Sequence, residues 1–164
     1  YEKVMEFNVS KLEPQVSLPH SVDSAKPVDA IGKVEINEAF LGTCTNGRLQ
    51  DLKIAAKILR NRKVFPGVRF IIAPSSRPIL LEALRTKLID VFVKAGCVVV
   101  APGCGPCVGT HNGVPADKEI VISSANRNFK GRMGNPNAFI YLASPATVAA
   151  SAVKGKVADP RSFL

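Results

Sequence analysis

The sequence has no tryptophan, two tyrosines and two histidines, and aromatic residues make up only 6% of it. So few rings leave no base-stacking surface, which weighs against a dedicated nucleic-acid reader despite a formal charge of +9. Its lysines and arginines are scattered, apart from Arg60, Arg62 and Lys63, so a solvated basic face is expected rather than a stripe that tracks phosphates. Apolar runs of about eighteen residues are also missing, and no secretory hydrophobic stretch is visible, so no membrane association is expected. Cysteine is limited to four positions. In a chain able to fold without disulfides, such cysteines suit a reducing, cytoplasmic setting, where they bind metal, do redox work or pack inside.

What is present is enough for one globular domain: 164 residues, of which 46% are hydrophobic, can bury a real core. Tyr1-Glu2-Lys3 lacks an initiator methionine, and residues 1–34 carry scattered prolines like a linker or preceding segment. Regular patterning starts at Glu35. The chain is therefore expected to be a C-terminal piece of something longer, with its domain at 35–164.

From Glu35 onward, β-like runs alternate with helical spacing, the mark of an α/β domain with a mostly parallel sheet in three α/β/α layers. Ile36 to Leu41 reads as a strand leading into the small-residue turn Gly42 to Gly47, followed by a helix from about Arg48 to Arg60. Val68 to Ala73 is a second strand, and Ile79 to Lys94 keeps helical spacing through Leu80, Leu84, Leu88 and Val91 until Gly96 ends it. Cys97 to Ala101 is continuous and β-branched, as in a strand buried on both faces, and feeds a loop from Pro102 to Gly113. Ile120 to Ile122 and Phe139 to Leu142 are further strands, and Ser144-Pro145 opens a last helix to about Lys154. Both cysteine-bearing loops follow the C-terminal ends of strands, where open parallel sheets place ligand sites.

Cys104-Gly105-Pro106-Cys107 has the spacing of a redox dithiol. Against that reading, the motif lies late in the chain, no tryptophan precedes it, and Val108 to Gly113 is a poor helix start. Zinc is a second reading, with Cys97 or His111 joining Cys44, Cys104 and Cys107 as fourth ligand. Cys97 lies in an apolar run, however, and reads better as a small buried hydrophobe. A third reading is a cubane cluster held by three thiolates from two loops, its fourth iron left open for Lewis-acid chemistry on a hydroxyl and a carboxylate. Arg127 and Arg132, in the polar stretch Asn126 to Arg132, have the chemistry to grip carboxylates in bidentate fashion.

Three motifs together carry a family resemblance. Leu41-Gly42-Thr43-Cys44-Thr45-Asn46-Gly47-Arg48 resembles the G-S-C-T-N cluster motif of the aconitase superfamily, Gly103 to Gly109 resembles its G-C-G-P-C-x-G motif, and Asn126 to Arg132 its N-R-N-F-x-G-R substrate motif. They occur in the family's order. Leu12-Glu13-Pro14, Leu18-Pro19-His20 and the stretch from Tyr141 to Arg161 extend the likeness toward the two-subunit branch, the isopropylmalate dehydratase and homoaconitase large subunits. The resemblance implies that Cys44, Cys104 and Cys107 ligate a [4Fe-4S] cluster, labile to oxygen without covering domains, with Asn46 in its first polar shell. It implies that Arg127 and Arg132 bind substrate carboxylate or stabilise its charge. It further implies a hydro-lyase acting on a small hydroxy acid, isomerising isopropylmalate in leucine biosynthesis or a homocitrate-type acid in the homoaconitase branch. The implied partners are a small subunit and preceding large-subunit domains, which bring the catalytic base. Thr43 departs from the usual serine of the motif and keeps its hydroxyl.

Overall fold

Successive side chains of a strand point to opposite faces, and this sequence sorts its apolar residues by that rule. In the computed structural model, which describes residues 1–164, the strands are β1 (Gln15–Ser17), β2 (Ala25–Pro27), β3 (Glu38–Gly42), β4 (Arg69–Ala73), β5 (Val98–Val99), β6 (Ile120–Ser123) and β7 (Phe139–Ala143). The helices are α1 (Thr43–Asn46), α2 (Leu49–Leu59), α3 (Arg77–Arg85), α4 (Leu88–Ala95), α5 (Gly105–Val108) and α6 (Pro145–Lys154). One seven-stranded sheet runs in the order β2-β1-β7-β6-β3-β4-β5. From β7 to β5 it is parallel, and β1 lies antiparallel to both β7 and β2. The fold is α/β with a mostly parallel sheet.

Ala39, Leu41, Phe70, Ile72 and Ile122 face a core completed by Leu52 and Ile58 of α2, Ala83 of α3, Phe92 of α4 and Val148 of α6. Their strand neighbours Phe40, Ile71, Val121 and Ile140 face the opposite side, where they meet Cys107, Ala125 and Met133. The four longer helices therefore cover one face. The other is covered by the loop-rich chain around α5, so the third layer is thin. Ser76 and Ser144 each accept a hydrogen bond from the backbone three residues on, at 3.5 and 3.2 Å, and fix the starts of α3 and α6.

Three local expectations need correction. The segment 1–34 is more than a linker, since its hairpin β1-β2 extends the sheet and Val16 is fully buried. The helix expected from Ile79 to Lys94 is two helices, broken where Lys87 takes a left-handed φ of 58°. Leu84 and Leu88 keep helical spacing, yet Leu84 is 50% exposed and Leu88 only 7%, so they share no face. Finally, β5 is a two-residue edge strand whose Val98 is exposed, because no strand pairs with its outer side.

Where β3 and β4 begin, Glu38 is fully buried and accepts a hydrogen bond from Arg69 Nη2 at 2.9 Å, while Arg69 also reaches Glu119 at 2.9 and 2.5 Å. The second oxygen of Glu38 has no partner. Burial pushes its carboxyl up to about 7 against the opposing pull of Arg69, whereas Arg69 holds Glu119 below its ordinary value. Folded Glu38 thus keeps a proton that the unfolded chain releases around 4.5, and its contribution to stability falls as pH rises from there to about 7. Glu38→Gln is expected to remove that slope, a difference on the order of 3 kcal/mol accumulated across the window. Urea unfolding of both chains from pH 4.5 to 8 measures it, and superimposable profiles would refute the buried-acid assignment.

Candidate metal centre

Strand β3 runs directly into α1, a single turn that lifts Cys44 into solvent. Gly42 makes this possible, since a Cβ there would stand 2.5 Å from the Ala73 carbonyl oxygen. Thr43 then takes φ 77°, a left-handed conformation that β-branched residues rarely adopt. Its hydroxyl shares a 3.0 Å hydrogen bond with that of Thr45 and accepts from the Thr45 N–H at 3.3 Å. Backbone strain is thus held in the turn that presents Cys44.

The second thiol-bearing turn follows β5. Cys104 is exposed at the N-cap of α5, while Cys107 is 8% exposed and packs beneath it against the loop-covered face of the sheet. Gly109 closes the turn at φ 72°, and a Cβ there would fall 2.2 Å from the Gly134 nitrogen. His111 lies over Gly105, so close that a Cβ on that glycine would meet its ring at 2.1 Å.

The segment after β6 touches both turns. Asn46 Nδ2 donates to the Ser124 carbonyl at 2.5 Å, and the Thr45 hydroxyl donates to Asn126 Oδ1 at 2.6 Å. Farther along, Arg132 donates to the Cys107 carbonyl and, at 3.1 Å, to Cys107 Sγ. Arg127 is exposed and bonded only to the Asn126 carbonyl, at 3.3 Å. The two arginines of one motif therefore stand in different settings: Arg132 against a thiol, Arg127 open to solvent. Asn128 is buried, its Nδ2 donating to the carbonyls of Leu18 and Ile140 at 2.8 and 3.2 Å. Sequence reading missed Thr45 and Ser124, whose partners lie about eighty residues away in the chain.

Burial raises the Cys107 thiol, the Arg132 guanidinium works against that, and the charges of Cys104 and Cys44 add to the rise. Cys97 belongs to the helix-covered core on the other side of the sheet, where burial pushes it up to about 12. It is a packed bystander. No three Cys, His, Asp or Glu side chains converge on one point to hold a single metal ion. A cluster distributes its thiolates over separate irons and does not ask for such convergence. Soft thiol donors, one of them bonded to a guanidinium, fit an iron-sulfur group by their chemistry.

Sequence comparison identifies the family. The profile of the aconitase family (aconitate hydratase) matches residues 26–155, and the chain belongs to that family. It is 60% identical over its whole length to a 3-isopropylmalate dehydratase large subunit 2 of Archaeoglobus fulgidus, covering 39% of that protein. It is 55% identical to a 3-isopropylmalate dehydratase large subunit 1 of Thermotoga maritima, with all of this chain and 40% of the relative aligned. A methanogen homoaconitase large subunit of Methanocaldococcus jannaschii is 50% identical over 97% of this chain and 38% of its own. The chain thus spans about two fifths of the length of these curated relatives. None of its helices is long and apolar enough to cross a membrane.

Exposure orders the thiols. Under native alkylation with iodoacetamide, read peptide by peptide in a mass spectrometer, Cys44 and Cys104 are expected to react roughly tenfold or more faster than Cys107 and Cys97. Equal rates at all four would contradict the packing described. Gly109→Ala should cost about 1–3 kcal/mol in thermal or urea unfolding, from the left-handed φ and the collision with the Gly134 backbone. An unchanged midpoint would mean that the two segments do not pack this closely.

Proposed function

We propose that this chain is the cluster-binding portion of the large subunit of a hydro-lyase that interconverts 2-isopropylmalate and 3-isopropylmalate by dehydration and rehydration in leucine biosynthesis. The observation that carries the reading is that two thiol-bearing turns follow the C-terminal ends of parallel strands and are both bonded to one segment, which carries Arg127 and Arg132. Relatives named as dehydratase large subunits, with all of this chain aligned, support it. Cys44, Cys104 and Cys107 would hold a [4Fe-4S] cluster. Such a cluster, with three irons bound to protein, supplies an open iron as Lewis acid for a hydroxyl and a carboxylate. Arg127, free at the surface, would clamp a substrate carboxylate in bidentate fashion, and Arg132 would hold charge beside Cys107. Asn46, fixed through its amide nitrogen, would keep its carbonyl oxygen in the polar shell of the cluster.

The base, and the walls that exclude water, would come from the rest of the large subunit and from a small subunit, the partner implied by the relatives' names. Residues 35–164, with the β1-β2 hairpin completing their sheet, would form the cluster-binding domain, and the reducing cytoplasm would suit its thiols. Homoaconitase-type chemistry on a longer diacid is the second reading, supported by a relative of that name at 50% identity.

Anaerobic reconstitution with iron and sulfide, followed by visible absorption and electron paramagnetic resonance, tests the cluster on this chain and on Cys44→Ser. A cluster spectrum in the parent that is lost in the variant is expected. No iron uptake, with a reversible Cys104 to Cys107 disulfide instead, would favour a dithiol redox protein. The reconstituted chain alone is expected not to turn over 2-isopropylmalate, and turnover without any partner would refute the division of labour proposed here.

A further inference from the structure

The two thiol-bearing turns leave the sheet from β3 and β5, with β4 between them, and no hydrogen bond joins them directly. The strand β4 sets where they leave the sheet, and beyond it the segment after β6 is bonded to both. We infer that residues Ser123 to Gly134 form a spacer that fixes the distance between Cys44 and the Cys104–Cys107 pair, with Ser124 as its anchoring, positioning residue; the inference rests on the cluster reading above.

Ser124 is fully buried. Its hydroxyl accepts from the Gly42 N–H at 3.0 Å and stands 3.4 Å from the Gly42 carbonyl, to which it donates. Its own N–H donates to the Phe40 carbonyl at 2.9 Å, and its carbonyl accepts from Asn46 Nδ2 at 2.5 Å. One residue thus grips the chain two positions before Cys44 and two positions after it. Asn126 adds the contact to Thr45. At the far end, Arg132 holds the carbonyl and the thiol of Cys107, and Gly134 packs on the backbone of Gly109. Between these ends, Asn128 is tied to Leu18 and Ile140, and Ser123 is in register with Phe40 of β3 and Leu142 of β7. The segment is rooted in the sheet at one end and pinned in its middle, so it has no freedom to slide. A three-iron attachment needs its thiolates at set positions before metal arrives, and groups that orient ligands without touching metal commonly govern affinity.

Ser124→Ala removes the hydroxyl and leaves the Gly42 N–H without a partner, while the side chain loses little volume. Spin labels on the two exposed thiols, Cys44 and Cys104, in a Cys107→Ala background read the spacing directly by double electron–electron resonance. A narrow distance distribution is expected with Ser124, and one roughly twofold broader, or shifted, with alanine. Ser151→Ala is the matched control, a buried serine on α6 whose hydroxyl accepts from the Ala158 N–H at 3.0 Å, far along the chain from the thiols. Thr45→Ser keeps the hydroxyl that reaches Asn126 and should leave the spacing unchanged, whereas Thr45→Val should widen it.

With the native cysteines in place, Ser124→Ala should lower cluster affinity roughly ten- to a hundredfold and Ser151→Ala should not. Equal broadening in the two serine variants, or an unchanged distribution in Ser124→Ala, would overturn the spacer. Failure of the parent chain to take up iron would overturn the cluster reading instead, and the label distances would still decide whether the segment sets the spacing.

Discussion

A parallel sheet delivers the C-terminal ends of its strands to one edge, and everything proposed for this protein depends on that constraint. Cys44 follows β3 and the Cys104 turn follows β5, so two strand spacings, roughly 10 Å, separate the points where the two turns leave the sheet. The turns must lean toward each other to act on one group. The backbone of the turns is closely packed: glycine at 42 for the close pass beside Ala73, a left-handed Thr43, and glycine at 109 where the second turn meets the backbone of Gly134. The two glycines allow close approach, Thr43 alone holds a strained backbone, and each lies within two residues of a proposed ligand.

Electrostatics sharpens the same picture. Bringing thiolates together is unfavourable, and burying one of them makes it more so, as the raised Cys107 thiol records. Arg132 answers on the spot, with one guanidinium nitrogen on the sulfur and another on the carbonyl of the same residue. Cys97 has no such answer and needs none, because it lies in the helix-covered core and stays a neutral thiol. The sheet itself separates the cysteine that packs from the cysteines that could ligate.

The parts legible in the sequence are those whose signals are local. Gly42 to Gly47 and Gly103 to Gly109 announce thiols in tight turns, and the alternation of β-like and helical runs announces a parallel sheet. What escaped reading was set by long-range pairing. Val16 is one apolar residue in a proline-rich stretch, and only its partners on β7 make it a strand residue. Leu84 and Leu88 carry perfect helical spacing across a break that tertiary packing imposes. Ser124 and Asn128 look like ordinary loop residues, because their burial and their partners in β3, β7 and the hairpin cannot be inferred from neighbours in sequence.

The contrast between Arg127 and Arg132 shows how one motif can divide its labour. Five residues apart in sequence, they flank the pinned Asn128 and have different partners. Arg132 spends its donors on Cys107. Arg127 has nearly all of its donors free, and a free planar fork suits a carboxylate arriving from solvent. In the proposed enzyme the first arginine would meet the substrate while the second steadies a cluster ligand. Holding both on one short segment would tie the position of the substrate to the position of the metal.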